Sequence, residues 1–260
     1  MFRQSARSLL LFVLASVAWA RAQYELPNEI FQRTILIRSG NEQATAFKFD
    51  QGGRIYLVTT RHFGKHLPLT NAVVQIWHNR IGNDLQTWSD LPTVRTFFPA
   101  AKDVDLAILE TGEQLAKPYA VVKSSEVLTT GQQVWFMGWD FAIPLPKVPA
   151  NTPNTGPQIF PDIVPPLKIG TISAINPTRP DSFEIQFLGP YTPGGAGGPI
   201  VYWSPVHKDY EILGVVKRSE RGAVRSPQDT SPPQKNVRLG VALGYSIDVV
   251  VETITANPHP

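Results

Sequence analysis

The chain has 260 residues, 24 lysines and arginines against 21 acids, and no cysteine, which excludes disulfides and cysteine-ligated metal sites and leaves stability to burial. Three arginines (Arg3, Arg7, Arg21) lie in the first 22 residues, which hold no acid, so without that segment the balance is 21 to 21 and the formal net charge is zero. No basic stripe then remains to neutralise phosphates, which argues against nucleic acid and anionic membranes as partners.

The leading stretch has a basic start, an apolar core from Leu9 to about Trp19, and small residues Ala20 and Ala22 spaced for cleavage after Ala22. It reads as a secretory signal peptide, residues 1–22. The apolar core is short for a bilayer, and no later stretch approaches the roughly 18 to 20 apolar residues of a spanning helix. The expected mature protein is therefore exported, secreted or periplasmic, with no membrane association after cleavage. An exported chain without disulfides suits a bacterial setting better than an animal extracellular one. Its remaining 238 residues suffice for one large β domain or two small ones.

Apolar runs are short, rich in Val, Ile, Tyr, Phe and Trp, and broken by Gly, Pro, Asn and Asp, the signature of strands and turns. In chain order they predict strands at 34–39, 44–49, 54–60, 72–78, 94–98 and 106–110, then at 133–138, 168–175, 182–187, 199–203, 212–216 and 239–243. Twelve short strands divided by a connection near 111–120, with no helical pattern between them, predict two packed barrels or sandwiches. The domains expected are residues 23–115 and 116–260. One helix is expected, at the C-terminus: Ser246 can cap it, Asp248 suits its positive end, and residues 249–254 give it an apolar side. Residues 140–168 hold eight prolines and read as a long surface insertion; 222–236 reads as a polar loop. No internal repeat is visible.

Three stretches carry candidate chemistry. In "YLVTTRHF", His62 follows an apolar strand directly, and His66 stands four residues on, a spacing compatible with a metal pair only if the turn is helical. In "DVDLAILE", Asp105 abuts a continuous apolar strand, where a carboxylate needs a hydrogen-bond partner such as an imidazole; Asp103 competes for that role. In "GGAGGP", glycines surround Ala196, giving backbone freedom and N–H groups able to converge on an anionic oxygen. A phosphate loop would need a following helix and usually a lysine, whereas here Pro199 leads into "IVYW". Taken singly, each stretch also reads as ordinary turn chemistry.

Together, "TTRH", "DVDLAIL" and "GGAGGP" resemble the His, Asp and Ser motifs of the trypsin-like (chymotrypsin-fold) serine peptidases, in that family's chain order. "ATAF" at 44–47, "KIGTISAI" and "ILGVV" resemble its other strands, so the likeness spans about residues 30–254 and is nearest the disulfide-free bacterial members. The resemblance implies an all-β fold of two six-stranded antiparallel barrels with a C-terminal helix. It implies His62, Asp105 and Ala196 at the catalytic positions, with Ala196 where the family has its serine. The N–H groups of Gly194 and Ala196 would form the oxyanion hole, and Pro190, Tyr191, Gly214 and Val215 would border the substrate pocket. No acidic residue occupies the pocket floor, and Lys217 and Arg218 follow its wall. Neither cofactor nor metal is implied.

Alanine has no oxygen to attack a carbonyl, and removing the nucleophile from such a triad costs on the order of a million-fold in turnover. The expectation is a catalytically inactive homologue that binds a peptide or protein in the inter-barrel cleft. The alternative is a serine endopeptidase in which Ala196 is an introduced change or another residue, Thr192 or Ser204, supplies the nucleophile.

Overall fold

The structure, a computed structural model, describes residues 26–78, 87–112, 129–139, 165–176, 178, 181–187, 194–224 and 234–259. By contact the chain divides at residue 30, and residues 31–260 form one unit. Within it lie two closed six-stranded antiparallel β-barrels, an arrangement that fits a chymotrypsin-like fold. The first comprises β1 (Thr34–Ser39), β2 (Glu42–Gln51), β3 (Arg54–Thr59), β4 (Val73–His78), β5 (Thr87–Phe97) and β6 (Ala107–Thr111). The second comprises β7 (Gln133–Met137), β8 (Leu167–Ile175), β9 (Ser182–Phe187), β10 (Pro199–Ser204), β11 (Asp209–Val224) and β12 (Gln234–Ser246). Around the first the order is β1-β2-β3-β6-β5-β4, and around the second β7-β8-β9-β12-β11-β10. The two orders are the same with every strand number raised by six, a structural repeat that leaves no trace in the sequence.

Strand chemistry follows what each face meets. In β9, Phe183, Ile185 and Phe187 are buried inside the second barrel while Glu184 and Gln186 face out, the alternation of a half-buried strand. β3 and β6 are apolar almost throughout because both faces are covered. Leu57, Ala107 and Leu109 fill the first barrel, while Tyr56, Val58, Leu106 and Ile108 face a second apolar cluster. That cluster is shared between the barrels: Phe47 and Phe49 of β2 enter it from one side, Ile212, Val215 and Tyr245 from the other. Each fully buried large apolar side chain there contributes roughly 1.5 to 3 kcal/mol.

Three helices occur among the described residues: α1 (Asn28–Arg33), α2 (Arg61–Gly64) and α3 (Ile247–Ala256). Only α3 was expected, because the others are too short to show a helical period. Its start follows the expected cap: Ser246 Oγ accepts the Asp248 N–H at 3.2 Å, and Ile247, Val249, Val250 and Ile254 complete the shared core. Beyond α3 the chain returns to the first barrel. Arg95 donates to the carbonyls of Asn257 (3.0 Å) and Pro258 (3.1 Å), and buried Glu110 accepts from Arg95 Nε (2.7 Å) and His259 Nδ1 (2.8 Å). No helix among the described residues is long and apolar enough to cross a membrane.

Two sequence expectations need correction. Residues 222–236 are not simply a loop, since β11 runs to Val224 and β12 starts at Gln234, paired through several register shifts. β5 begins at Thr87, not Val94. Its Pro92 is tolerated because β6 pairs with β5 only from Thr93 onward, so the missing N–H falls where β4 is the sole neighbour. The segment 1–22, the domain division at 115/116 and most of 140–168 lie outside the described residues.

Candidate active site

β3 ends in buried Thr59, and Thr60, also buried, is the N-cap of the single-turn helix α2, which carries His62. Asp105 stands just before β6, between buried Val104 and Leu106. The two meet at two points: the His62 backbone N–H donates to Asp105 Oδ1 at 3.0 Å, and the ring Nδ1 lies 3.0 Å from Oδ2. With Asp105 ionised, Nδ1 carries the proton and Nε2 is left as the acceptor, 3.3 Å from Thr60 Oγ1.

Residues that sequence reasoning missed hold this pair together. Arg61 donates through Nε to the Val104 carbonyl (2.8 Å) and through a terminal nitrogen to those of Pro99 (2.7 Å) and Ala101 (3.1 Å), so the residue before His62 clamps the loop that delivers Asp105. From the second barrel, Tyr245 Oη accepts the Asp105 N–H at 3.2 Å and donates to the Asp103 carbonyl at 3.3 Å. Asp103 itself is exposed and contributes that backbone oxygen; the acid on His62 is Asp105. Adjacency to His62 was the one available signal for Arg61, and nothing in the sequence singles out Tyr245.

Electrostatics agree with a coupled imidazole–carboxylate pair. The hydrogen bond to Asp105 raises the His62 pKa above its ordinary 6.5, against a smaller opposing effect of burial. For Asp105 burial pushes upward, but the bonds from the His62 ring and from the backbone N–H groups of His62 and Arg61 outweigh it and hold the carboxyl below its ordinary 3.8. Beside His62 opens a hollow of about 300 Å³ lined by Glu42, Gln43, His62, Phe63, Lys65 and His66.

The glycine loop belongs to the second barrel but is seated on the first. Thr45 Oγ1 of β2 donates to the Gly194 carbonyl at 2.6 Å. Gly197, at φ 88°, lies so close to β2 and β3 that a β-carbon would collide with the Thr45 carbonyl oxygen and come within 3.2 Å of Thr59 Oγ1. The loop therefore docks one residue away from the threonine that His62 Nε2 touches. The N–H groups of Gly197 and Gly198 are used internally, donating to Val216 O (2.8 Å) and Gly195 O (3.1 Å). Those of Gly194 and Ala196 have no partner among the described residues, and Ala196 is partly exposed.

β11 runs beside the glycine loop, the Gly198 carbonyl accepting the Val216 N–H at 2.9 Å. Gly214 and Val215 lie inside the sheet, paired to β10 on one side and β12 on the other, with the Val215 side chain in the shared core. Beyond them, Lys217 places its ammonium 5.0 Å from the Tyr245 ring centroid. Arg218 continues β11 and pairs with Leu243 of β12. Pro190, Tyr191 and Thr192 lie outside the described residues. Ser204 is fully buried at the end of β10, its Oγ accepting the His207 N–H at 3.2 Å, and so is closed to a substrate. His62 lies in α2 and His66 two residues beyond its end, where its Nε2 faces Glu42 Oε1 at 3.4 Å, a carboxylate that the sequence left unseen because β2 supplies it. Among the described residues no group of three or more His, Asp or Glu is arranged to hold a metal.

No protein-family model matches this chain, and no curated protein is detectably similar to it.

Proposed function

We propose that this chain is an exported trypsin-like peptidase homologue that binds an extended peptide or protein segment between its barrels without hydrolysing it. The observation that carries the reading is the two-point His62–Asp105 contact, at 3.0 Å and 3.0 Å, with a docked glycine loop presenting a methyl group at Ala196. His62 is held through both ring and backbone by one carboxylate, and its Nε2, 3.3 Å from the Thr60 hydroxyl, is the nitrogen that would serve as base.

The parts have distinct roles in the proposal. The N–H groups of Gly194 and Ala196, without a partner among the described residues, would hold a peptide carbonyl oxygen, since backbone donors do not depend on the side chain they accompany. An extended ligand can add to β11 from Lys217 onward, where β12 is the sole neighbour among the described residues. Export, to the periplasm or outside the cell, rests on the leader at 1–22. Hydrolysis is absent because a methyl group has no lone pair to form the acyl-enzyme, and water activated by His62 alone lacks that covalent step.

The test is Ala196→Ser with a fluorophosphonate probe. In this variant the new Oγ attacks phosphorus, fluoride departs and His62 takes the hydroxyl proton, so labelling is expected; the unaltered protein stays unlabelled. Labelling of the unaltered protein would overturn the inactive reading and point to a nucleophile elsewhere. Failure of Ala196→Ser to label would show that the dyad and loop are out of register.

A further inference from the structure

Thr45 occupies a position that no catalytic argument requires. It lies on β2 between Ala44 and Ala46, and it is fully buried. Its hydroxyl is used twice, each time by the other barrel. As donor it reaches the Gly194 carbonyl at 2.6 Å; as acceptor it takes the Trp139 N–H at 2.9 Å, from the segment following β7. Its backbone carbonyl accepts Thr59 Oγ1 at 2.8 Å, three residues before His62, and forms the surface against which Gly197 is pressed. One residue thus touches the strand that ends at the imidazole, the loop that carries Ala196, and a third segment behind that loop.

We infer that Thr45 is a positioning residue: its hydroxyl sets the orientation of the Gly194 carbonyl, and through it the placement of the glycine loop relative to His62. This deepens the reading above and rests on it. The physical argument is one of degrees of freedom. Gly194 sits at φ 103°, where glycine moves freely, and its peptide plane has little steric reason to prefer one direction. A 2.6 Å hydrogen bond from a buried hydroxyl gives it one. The hydroxyl cannot turn away, because it must also satisfy the buried Trp139 N–H. Fixing the Gly194 carbonyl constrains the Gly194–Gly195 peptide plane, and hence the directions of the N–H groups on either side of it, at Gly194 and Ala196. The two barrels, each with its own interior beside the shared cluster, are thereby registered where their functional groups must meet.

Three double variants test this against Ala196→Ser alone: Thr45→Val, which keeps shape and loses the hydroxyl, Thr45→Ser, which keeps the hydroxyl, and Thr93→Val as a stability control. Thr93 is likewise buried in the first barrel and donates to a carbonyl, that of Ala72 at 3.0 Å, away from the loop. Thr45→Val is expected to slow fluorophosphonate labelling on the order of 100-fold, the scale of a misplaced reacting group. Thr45→Ser should restore labelling to about the Ala196→Ser rate, and Thr93→Val should lower the thermal midpoint without slowing labelling. Equal labelling by the Thr45→Val and Ala196→Ser proteins, or equal slowing by Thr93→Val, overturns the inference. Thr45→Ala is read in parallel in case valine prevents folding.

A second readout needs no activity. In the protein with Ala196 in place, the amide resonances of Gly194, Gly195 and Ala196 should move in Thr45→Val and stay in Thr45→Ser and Thr93→Val. If Ala196→Ser fails to label, the proposed function falls while these resonances still decide the role of Thr45; resonances unmoved in Thr45→Val overturn it.

Discussion

Tyr245→Phe isolates what one hydroxyl does for the site. The ring is fully buried in the shared core, and phenylalanine keeps that packing, so no cavity opens. What disappears is the bond from the Asp105 N–H at 3.2 Å and the bond to the Asp103 carbonyl at 3.3 Å, both at the long end of the range. Each such bond is worth about 0.5 to 1.5 kcal/mol net, and the Asp105 N–H is left short of a partner, so the variant should lose about 1 to 2 kcal/mol. For a chain of this size that is a fall in thermal midpoint of roughly 3 to 6 °C, measurable by circular dichroism. Asp105 also loses its anchor to the second barrel, so the His62 titration, followed through its ring proton by NMR, should move down from the wild-type midpoint. A phenylalanine variant that melts with the wild type and leaves the His62 titration in place would refute the claim that this hydroxyl orients the carboxylate.

The dyad also makes a pH prediction. His62 has a raised pKa, so its contribution to stability is full below 6.5 and is lost as pH rises through the higher folded value. Asp105 has a lowered pKa, so its contribution is full above 3.8 and is lost as pH falls through the lower folded value. Asp105→Asn should therefore lower the His62 midpoint, and its loss of thermal stability relative to wild type should be largest between these two ordinary values and shrink on either side. At the C-terminus, Ser246→Ala removes the cap of α3 and should cost about 1 kcal/mol, a fall of roughly 2 to 4 °C in a thermal melt, with Ser246→Asn retaining most of the stability.

Much of the fold was legible because local and global signals coincide. Strands such as 34–39 and 182–187 have a buried face, so their alternation or apolar run marks both existence and extent. The far ends of β11 and β12 were missed because β-pairing there extends through several register shifts, and regular alternation is no guide where pairing is irregular. At the candidate site, the His62–Asp105 pair was readable from two short stretches, since each carries local chemistry. Their supports were not: Thr45, Arg61 and Tyr245 act across 149, 43 and 140 residues of chain. A threonine between two alanines looks like any strand residue until the partner strand is known.

The return of residues 257–259 to Arg95 and Glu110 bears on how the molecule is made. Glu110 receives its contact from His259 149 positions later, a carboxylate otherwise left in the interior with Arg95 and Arg54. During synthesis the first barrel emerges well before that imidazole exists, so this contact to Glu110 forms only after the strands of the second barrel have been made. The first half thus takes one of its buried polar contacts from the second, and a chain that stops short of residue 259 leaves Glu110 with Arg95 and Arg54 alone.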